Sequence, residues 1–445
     1  MEKTSFKYHG ILALSPLLVF LCVYLVSSIA ANDFYKIPVS AAFLIASVYA
    51  LAVSRGKTLE ERIGIFSKGA GNPNVLLMIW IFIMAGAFAA TAKEIGAIDA
   101  TVNLAMRILP GKLLYAGLFF AACFISMSIG TSVGTIVALV PVAAGIAEEL
   151  ALGGASETFA SAPFITAIIV GGAFFGDNLS FISDTTIAAT RTQGCTMSDK
   201  FKVNFRIVAP AALMVSLIYI FLGEQAIFPE EQANAAVEKI ASNWILFLPY
   251  LLVIILALTG VNVLGVLAIG IIANAAIGLG IGAINLHEFG IAAVEGILSM
   301  ADLIAVTLLA GGILELIRIG GGLDYIINLI TRNIHSRRGA ELSIAALVSF
   351  ANICTANNTI AIISVGGIAK NIAARFRIDS RKSASLLDTF SCLIQGFLPY
   401  GAQLLLASQL AGTTPPSIAK YLYYPLLVGV CAVIAILFRL PRKYS

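Results

Sequence analysis

Apolar runs of about 20 residues, the length that carries a helix across a bilayer, recur from one end of this chain to the other. "ILALSPLLVFLCVYLVSSIA" (11–30), "VLLMIWIFIMAGAFAATA" (75–92) and "YLYYPLLVGVCAVIAILF" (421–438) are three of them. One run differs: "GGAFFGDNLSFISDTTIAAT" (171–190) carries two aspartates and a cluster of hydroxyl side chains. The pattern predicts an all-α polytopic membrane protein. Composition agrees, with 59% hydrophobic and 12% charged residues, half the charge of a soluble domain. "SSIAAN" after the first run has the small residues of a signal-peptidase site. A counterpart of that run in the second half makes it a retained helix.

Self-comparison finds a duplication. A shift of 225 lays "AGAFAATAKEIGAIDATVNLAMR" (85–107) on "AGGILELIRIGGGLDYIINLITR" (310–332), matching Gly86 to Gly311, Asp99 to Asp324 and Arg107 to Arg332. A shift of 224 then lays "GTSVGTI" (130–136) on "CTANNTI" (354–360), and the aspartate-bearing run on "QGFLPYGAQLLLASQLAGTT" (395–414). The chain divides into a first repeat (1–223), an external linker (224–243) and a second repeat (244–445).

Each repeat reads as two apolar spans, a third span (73–92; 297–317), then an amphipathic stretch with Asp, Asn and Arg four residues apart. Two short legs follow, meeting at a small polar tip (113–129 and 135–150; 341–353 and 359–372). That predicts a re-entrant hairpin, whose non-helical backbone needs cover at membrane depth. A broken helix (163–190; 383–411) and a closing span (203–223; 419–439) complete the unit. Five transmembrane helices per repeat is an odd number, so the second repeat is inverted. With both termini cytoplasmic, all but Lys36, Lys93, Arg107, Lys112, Lys239 and Lys420 of the 28 Lys and Arg fall inside, as the positive-inside rule requires. Two inverted repeats with hairpins and broken helices are the plan of a secondary transporter, its site near the bilayer midplane.

Polar residues within apolar spans are costly, so they mark candidate sites. Asp177 and Asp184 have no Lys or Arg within their run. On a straight helix they would lie about 10 Å apart on one face, too far for one ion. Gly176 and the Asn178–Ser180 cluster suggest unwinding, which would close that gap and expose carbonyls. Asp177, Asn178, Ser180, Ser183, Asp184 and Thr185 together form a candidate cation and proton site, with Asp177 and Asp184 as Na+ ligands. The competing structural reading makes Asp177 a helix cap and Asp184 an interfacial charge near Arg191.

The hairpin tips add Thr131, Ser132, Thr135, Asn357, Asn358 and Thr359, and the second broken helix adds Asp388, Thr389, Gln395, Tyr400 and Gln403. By the repeat, Asp177 falls on Gly401 and Asp184 on Ser408, so the acidic ligands of this position belong to the first repeat alone. Asp388 reads equally as a second titrating site and as an interfacial charge near Lys382. Glu315 reads as the partner of Arg318 one turn on. Asp99, Asn103 and Arg107, with their copies in the second repeat, complement the dipoles of interfacial arms.

Several classes drop out. Six cysteines without a CxxC pair give no zinc or disulfide pattern. "GTSVG" (130–134) matches a serine-nucleophile elbow, but that needs a preceding strand and a His. His9, His287 and His335 all lie outside the apolar spans, so no enzyme is expected.

"GGAFFGDNLSFISDTT" resembles the signature of the NhaC-type Na+/H+ antiporters, within the ion transporter superfamily. Gly176, Asp177, Ser180, Ser183, Asp184 and Thr185 match it. Asn178 stands where that family commonly has Lys, and Phe181 where it commonly has Pro. The resemblance implies antiport of Na+ and H+ across the plasma (inner) membrane, with no cofactor beyond the transported ions. Similar proteins carry amino acids or small carboxylates with Na+, which is the alternative. Burial favours a protonated carboxyl and a bound cation the ionised one, so competition at one carboxylate yields exchange. The expected partners are the lipid bilayer, small ions and a small organic solute; a homodimer is compatible with the reading and nucleic acid is not.

Overall fold

The computed structural model describes residues 6–441 apart from 31–38, 55–57, 109–110, 153–157, 181–182, 224–243, 260 and 333. The expected linker lies outside the described residues. Every regular element among those described is helical. Eight stretches of these residues are long and apolar enough to cross a membrane, Pro73–Glu94 and Met197–Gly223 among them. The protein is an all-α, multi-pass integral membrane protein.

The first half runs α1 (Phe6–Ala30), α2 (Val39–Val53), α3 (Leu59–Ala70), α4 (Pro73–Glu94), α5 (Ala97–Ile108), α6 (Leu114–Ile129), α7 (Ser132–Leu152), α8 (Ala162–Leu179), α9 (Asp184–Gln193) and α10 (Met197–Gly223). The second runs α11 (Leu248–Leu258), α12 (Val263–Gly280), α13 (Leu286–Ser299), α14 (Ala301–Ile319), α15 (Gly322–Thr331), α16 (Arg337–Thr355), α17 (Asn358–Arg375), α18 (Ser380–Phe397), α19 (Ala402–Leu410), α20 (Pro415–Ala419) and α21 (Tyr423–Leu437). The order of the described elements in the first half recurs in the second, with the short α20 as an addition.

Two helices were not expected. α3 and α13 each start on a reciprocal cap: Thr58 with Glu61, and Asn285 with Glu288. Such caps satisfy two free N–H groups at once, which lets short, partly polar segments stand as helices. Each packs on the other half. α13 meets α4 where Gly86 faces Gly296, and α3 meets α14 where Gly69 faces Gly311. Gly86 and Gly311 are the pair matched by the repeat, so each half offers the equivalent glycine to its neighbour.

The hairpin legs are longer than expected. α6 with the short 3-10 turn before it reaches 19 residues, and α7 has 21; both have spanning length. Their turn is Gly130–Thr131, with Gly130 left-handed at φ +76°. The second turn, Ala356–Asn357, places a non-glycine residue in the same region, at φ +48°.

Both broken helices exist: α8 and α9 part after Leu179, and α18 and α19 part after Phe397. They form the centre of the molecule. In the apolar 18-residue window of Ala162–Gln193 94% of the residues are buried, against 28% in Val263–Gly280. The second half of each crosses to the opposite repeat, α9 packing on α17 and α18, and α19 on α7. Gly176 is not part of the break. It lies inside α8, pressed with Gly172 against α6, where a Cβ would strike Ser126 and Phe119 main chain. Small residues four apart allow that close helix approach.

Candidate functional site

The two hairpin tips and two helix breaks are joined by one run of hydrogen bonds. Asp177, in the last turn of α8 and 4% exposed, accepts from the Ser132 N–H through Oδ1 at 3.0 Å. Ser132 is the first residue of α7, so the carboxylate sits on the positive end of a hairpin helix. The Ser132 hydroxyl accepts from Gln403 Nε2 at 3.1 Å. Gln403 Oε1 accepts from Gln395 Nε2 at 2.8 Å, and the same nitrogen donates to the Ala356 carbonyl at 3.1 Å. First break, first tip, second break and second tip thus touch in sequence. Among the described residues no Lys or Arg forms an ion pair with Asp177.

The rest of the first break holds its own backbone. Ser183, the N-cap of α9, donates to the Asp177 carbonyl at 2.9 Å, and Thr185 donates to the same oxygen at 3.1 Å. Ser180 donates to the Met127 carbonyl of α6 at 2.8 Å. Asn178 donates to the Phe174 carbonyl and to Tyr424, while its Oδ1 is buried without a donor. Asp184 departs from expectation. It opens α9 and is exposed, so it is not a second buried carboxylate; a carboxylate there complements the helix dipole.

Asp388 is that second buried carboxylate. It is wholly buried on α18 and pairs with Lys200 of α10 at 2.7 Å. Lys200 was expected among the cytoplasmic loop charges, but its side chain is 1% exposed. Asn204, one turn on, donates to Asp388 Oδ2 at 3.0 Å and to the Asn178 carbonyl at 2.6 Å. Its own Oδ1 takes the hydroxyls of Ser385 and Thr389. Asp388 Oδ1 meets no donor at hydrogen-bond geometry, though the Thr185 hydroxyl is close enough to turn to it. Lys382 instead lies with Glu341 at 3.9 Å, so of the two readings of Asp388 the one that paired it with Lys382 is not what the structure shows. Lys200 and Asn204 stand four apart in "SDKFKVNFR", a one-face spacing that was the available signal.

The tip residues are largely spent on local structure. Thr135 returns its hydroxyl to the Thr131 carbonyl, Asn357 caps α17 through the Ile360 N–H, and Asn358 Oδ1 takes the Thr359 N–H. Tyr400 donates to the Ile353 carbonyl at 2.8 Å. Glu315 and Arg318 form the expected pair, doubly bonded at 2.8 and 2.6 Å.

A cavity of about 380 Å³ is lined by residues that include Lys68, Asn72, Glu315, Arg318 and Thr355, the last next to the second tip. A smaller pocket shares the Thr355 and Ile360 walls and reaches Asn357, Tyr400 and Ala402. Its lining stops at the second tip, one residue from Gln403 and short of Asp177.

A multi-pass helical protein with a buried carboxylate where helix breaks and hairpin tips meet belongs to the class of ion-coupled transporters. The Na+/H+ antiporter family model matches residues 4–224 and 232–440, and the chain belongs to that family. It is 21% identical to a malate-2H+/Na+-lactate antiporter of Bacillus subtilis, over 97% of this chain and 95% of that one. It is 22% identical to the Na+/H+ antiporter NhaC of Bacillus subtilis, over 87% and 88%. To the NhaC of Alkalihalophilus pseudofirmus it is 22% identical, over 61% and 63%.

Proposed function

We propose that this protein exchanges Na+ for protons by competition at Asp177. The observation that carries the reading is a buried carboxylate with no cationic side chain paired to it, held by one main-chain N–H at the tip of a hairpin. Such a group needs a proton or a cation to offset its burial. Na+ takes hard oxygens, and those at hand are the Asp177 carboxylate, the Asn178 amide, the Ser132 and Thr131 hydroxyls of the first tip, and Ser180, Ser183 and Thr185 of the break. Asp184 serves as the outer ligand that a cation meets first, and Asp388 as a further carboxylate beside Asp177. From the second repeat, Thr389, Gln395, Tyr400 and Gln403 close the chamber, with Asn357, Asn358 and Thr359 at its tip.

Access alternates as the hairpins and broken helices move against the other spans. The cavity at Lys68 and Arg318 is then the cytoplasmic entry, and the Gln403–Ser132 contact divides it from Asp177. Both termini are cytoplasmic in this arrangement.

One observation favours a second reading, Na+-coupled movement of a small carboxylate. The cavity is the size of small-molecule sites and far larger than a bare ion needs, and Lys68 lines it together with the Arg318–Glu315 pair. The relative named for malate and lactate supports it. Purified protein in proteoliposomes separates the two. A Na+ gradient imposed without organic solute should acidify or alkalinise the lumen according to its direction. If the pH response appears only with a dicarboxylate or hydroxy acid present, the second reading holds. Absence of a Na+-dependent pH response removes the first reading, and absence of Na+-driven uptake of labelled dicarboxylate or hydroxy acid removes the second.

A further inference from the structure

The Lys200 ammonium is held by three oxygens of three different kinds. The Asn178 main-chain carbonyl lies at 2.8 Å, the Thr186 hydroxyl at 2.7 Å and Asp388 Oδ2 at 2.7 Å. They come from both broken helices, Asn178 ending α8, Thr186 in the first turn of α9, and Asp388 on α18. All three residues are essentially buried, Asn178 and Asp388 at 0% and Thr186 at 1% exposure. One carboxylate, one hydroxyl and one carbonyl freed by a helix break form the donor set that hard monovalent cations take at broken helices. Asp388 Oδ1, on the same carboxylate, meets no donor at hydrogen-bond geometry, with the Thr185 hydroxyl nearby.

We propose that this is a second cation site, already filled by the Lys200 side chain as a tethered ammonium. Any buried ammonium must satisfy three N–H donors; what is particular here is that the three acceptors come from both broken helices and meet at the first break. Beside the carboxylate, the ammonium takes up the main-chain carbonyl at that break and a hydroxyl just beyond it. Asn204 adds its amide N–H groups to two of the same oxygens, which keeps them aimed inward. The tethered ammonium pairs with Asp388 and leaves Asp177 as the carboxylate open to a free ion. The inference stands on these contacts and does not require the exchange reaction at Asp177.

The test is to vacate the site. The D177N and D177N/K200A proteins are purified in choline chloride, and their thermal unfolding is followed with choline, sodium or methylammonium chloride at equal ionic strength. The Asp177→Asn background removes any cation effect at Asp177, so this outcome is separate from the transport reading. D177N alone should show no sodium-specific shift. D177N/K200A should gain about 2–4 °C in Na+ or methylammonium, as a ligand well above its Kd produces. D177N/K200R, which keeps a fixed charge, should show no gain. If D177N/K200A does not survive in choline, its recovery in folded form when methylammonium is present throughout supports the proposal. A folded D177N/K200A protein indifferent to both cations overturns it, and so does one that stays unfolded in both.

Discussion

Asp177 Oδ1 lies 3.0 Å from the Ser132 main-chain nitrogen, so the carboxylate at the first helix break caps the hairpin helix α7. A cap and an ion ligand make different demands on the same group. Asp177→Asn keeps the size and an acceptor oxygen but cannot titrate or hold Na+ as a carboxylate does. It should leave folded protein in the membrane and reduce Na+-dependent proton movement in proteoliposomes to background. Asp177→Glu should retain part of the activity with a displaced pH optimum, because charge is kept while reach grows by one methylene. A fully active Asp177→Asn protein would reduce the residue to its capping role.

Stability at acid pH has a separate origin. Asp379 caps α18 and takes the Arg381 guanidinium at 2.9 and 2.7 Å. Those hydrogen bonds, set against partial burial, hold its carboxyl below the usual range. A lowered folded pKa contributes stability that is complete above the unfolded value and is lost as pH falls through the folded one. The pair is part-exposed, so solvent screening keeps it small. Asp379→Ala should cost about 0.5–1 kcal/mol at pH 7, mostly as a lost cap. The difference from the parent should narrow below about pH 4, read from unfolding midpoints of detergent-solubilised protein.

The helix breaks were legible because polar residues inside apolar runs have few structural reasons to be there. Asp177, Gln395 and Gln403 were found that way. Lys200 was not, because its meaning depends on a carboxylate 188 positions away that only the crossing of α10 and α18 brings near. In a basic segment at a span's end, a buried lysine looks like any loop charge. Asp184, seven residues from Asp177 in the same run, opens α9 and is exposed, the place that the interfacial reading gave it. Gly176 was read as a breaker, whereas its missing side chain serves the contact with α6. Helices α3 and α13 were missed because each is short, begins at a reciprocal cap rather than with a long apolar run, and packs on the opposite half.

The reciprocal glycine contacts should be intolerant of even one methyl group. Gly69→Ala and Gly86→Ala each place a Cβ against the carbonyl of the facing glycine. Backbone cannot yield as a side-chain end does, so each should cost about 1–3 kcal/mol or more and lower the yield of monodisperse protein. Gly64→Ala is the control. Nothing lies within 4 Å of its Cβ position, and replacing a helical glycine should stabilise by about 0.5–1 kcal/mol. Thermal unfolding of the three proteins in one detergent checks the sign of each.

The inverted arrangement predicts sidedness for three exposed positions. Ser198 lies at the start of α10, His287 at the start of α13, and His335 between α15 and α16. Charge places the neighbourhoods of Ser198 and His335 inside, with Arg191 and Lys202 near one and Arg337 and Arg338 near the other. His287 falls outside, where the nearest cations are far along the chain. In a background without the six native cysteines, Ser198→Cys and His335→Cys should react with a membrane-impermeant thiol reagent only after the cells are opened. His287→Cys should react in intact cells. An odd number of crossings between 198 and 287 would turn the second half over relative to the first. If Ser198→Cys and His287→Cys label from the same face, the repeats are parallel. The two hairpin tips would then enter from one side, and exchange between two faces would lose its structural basis.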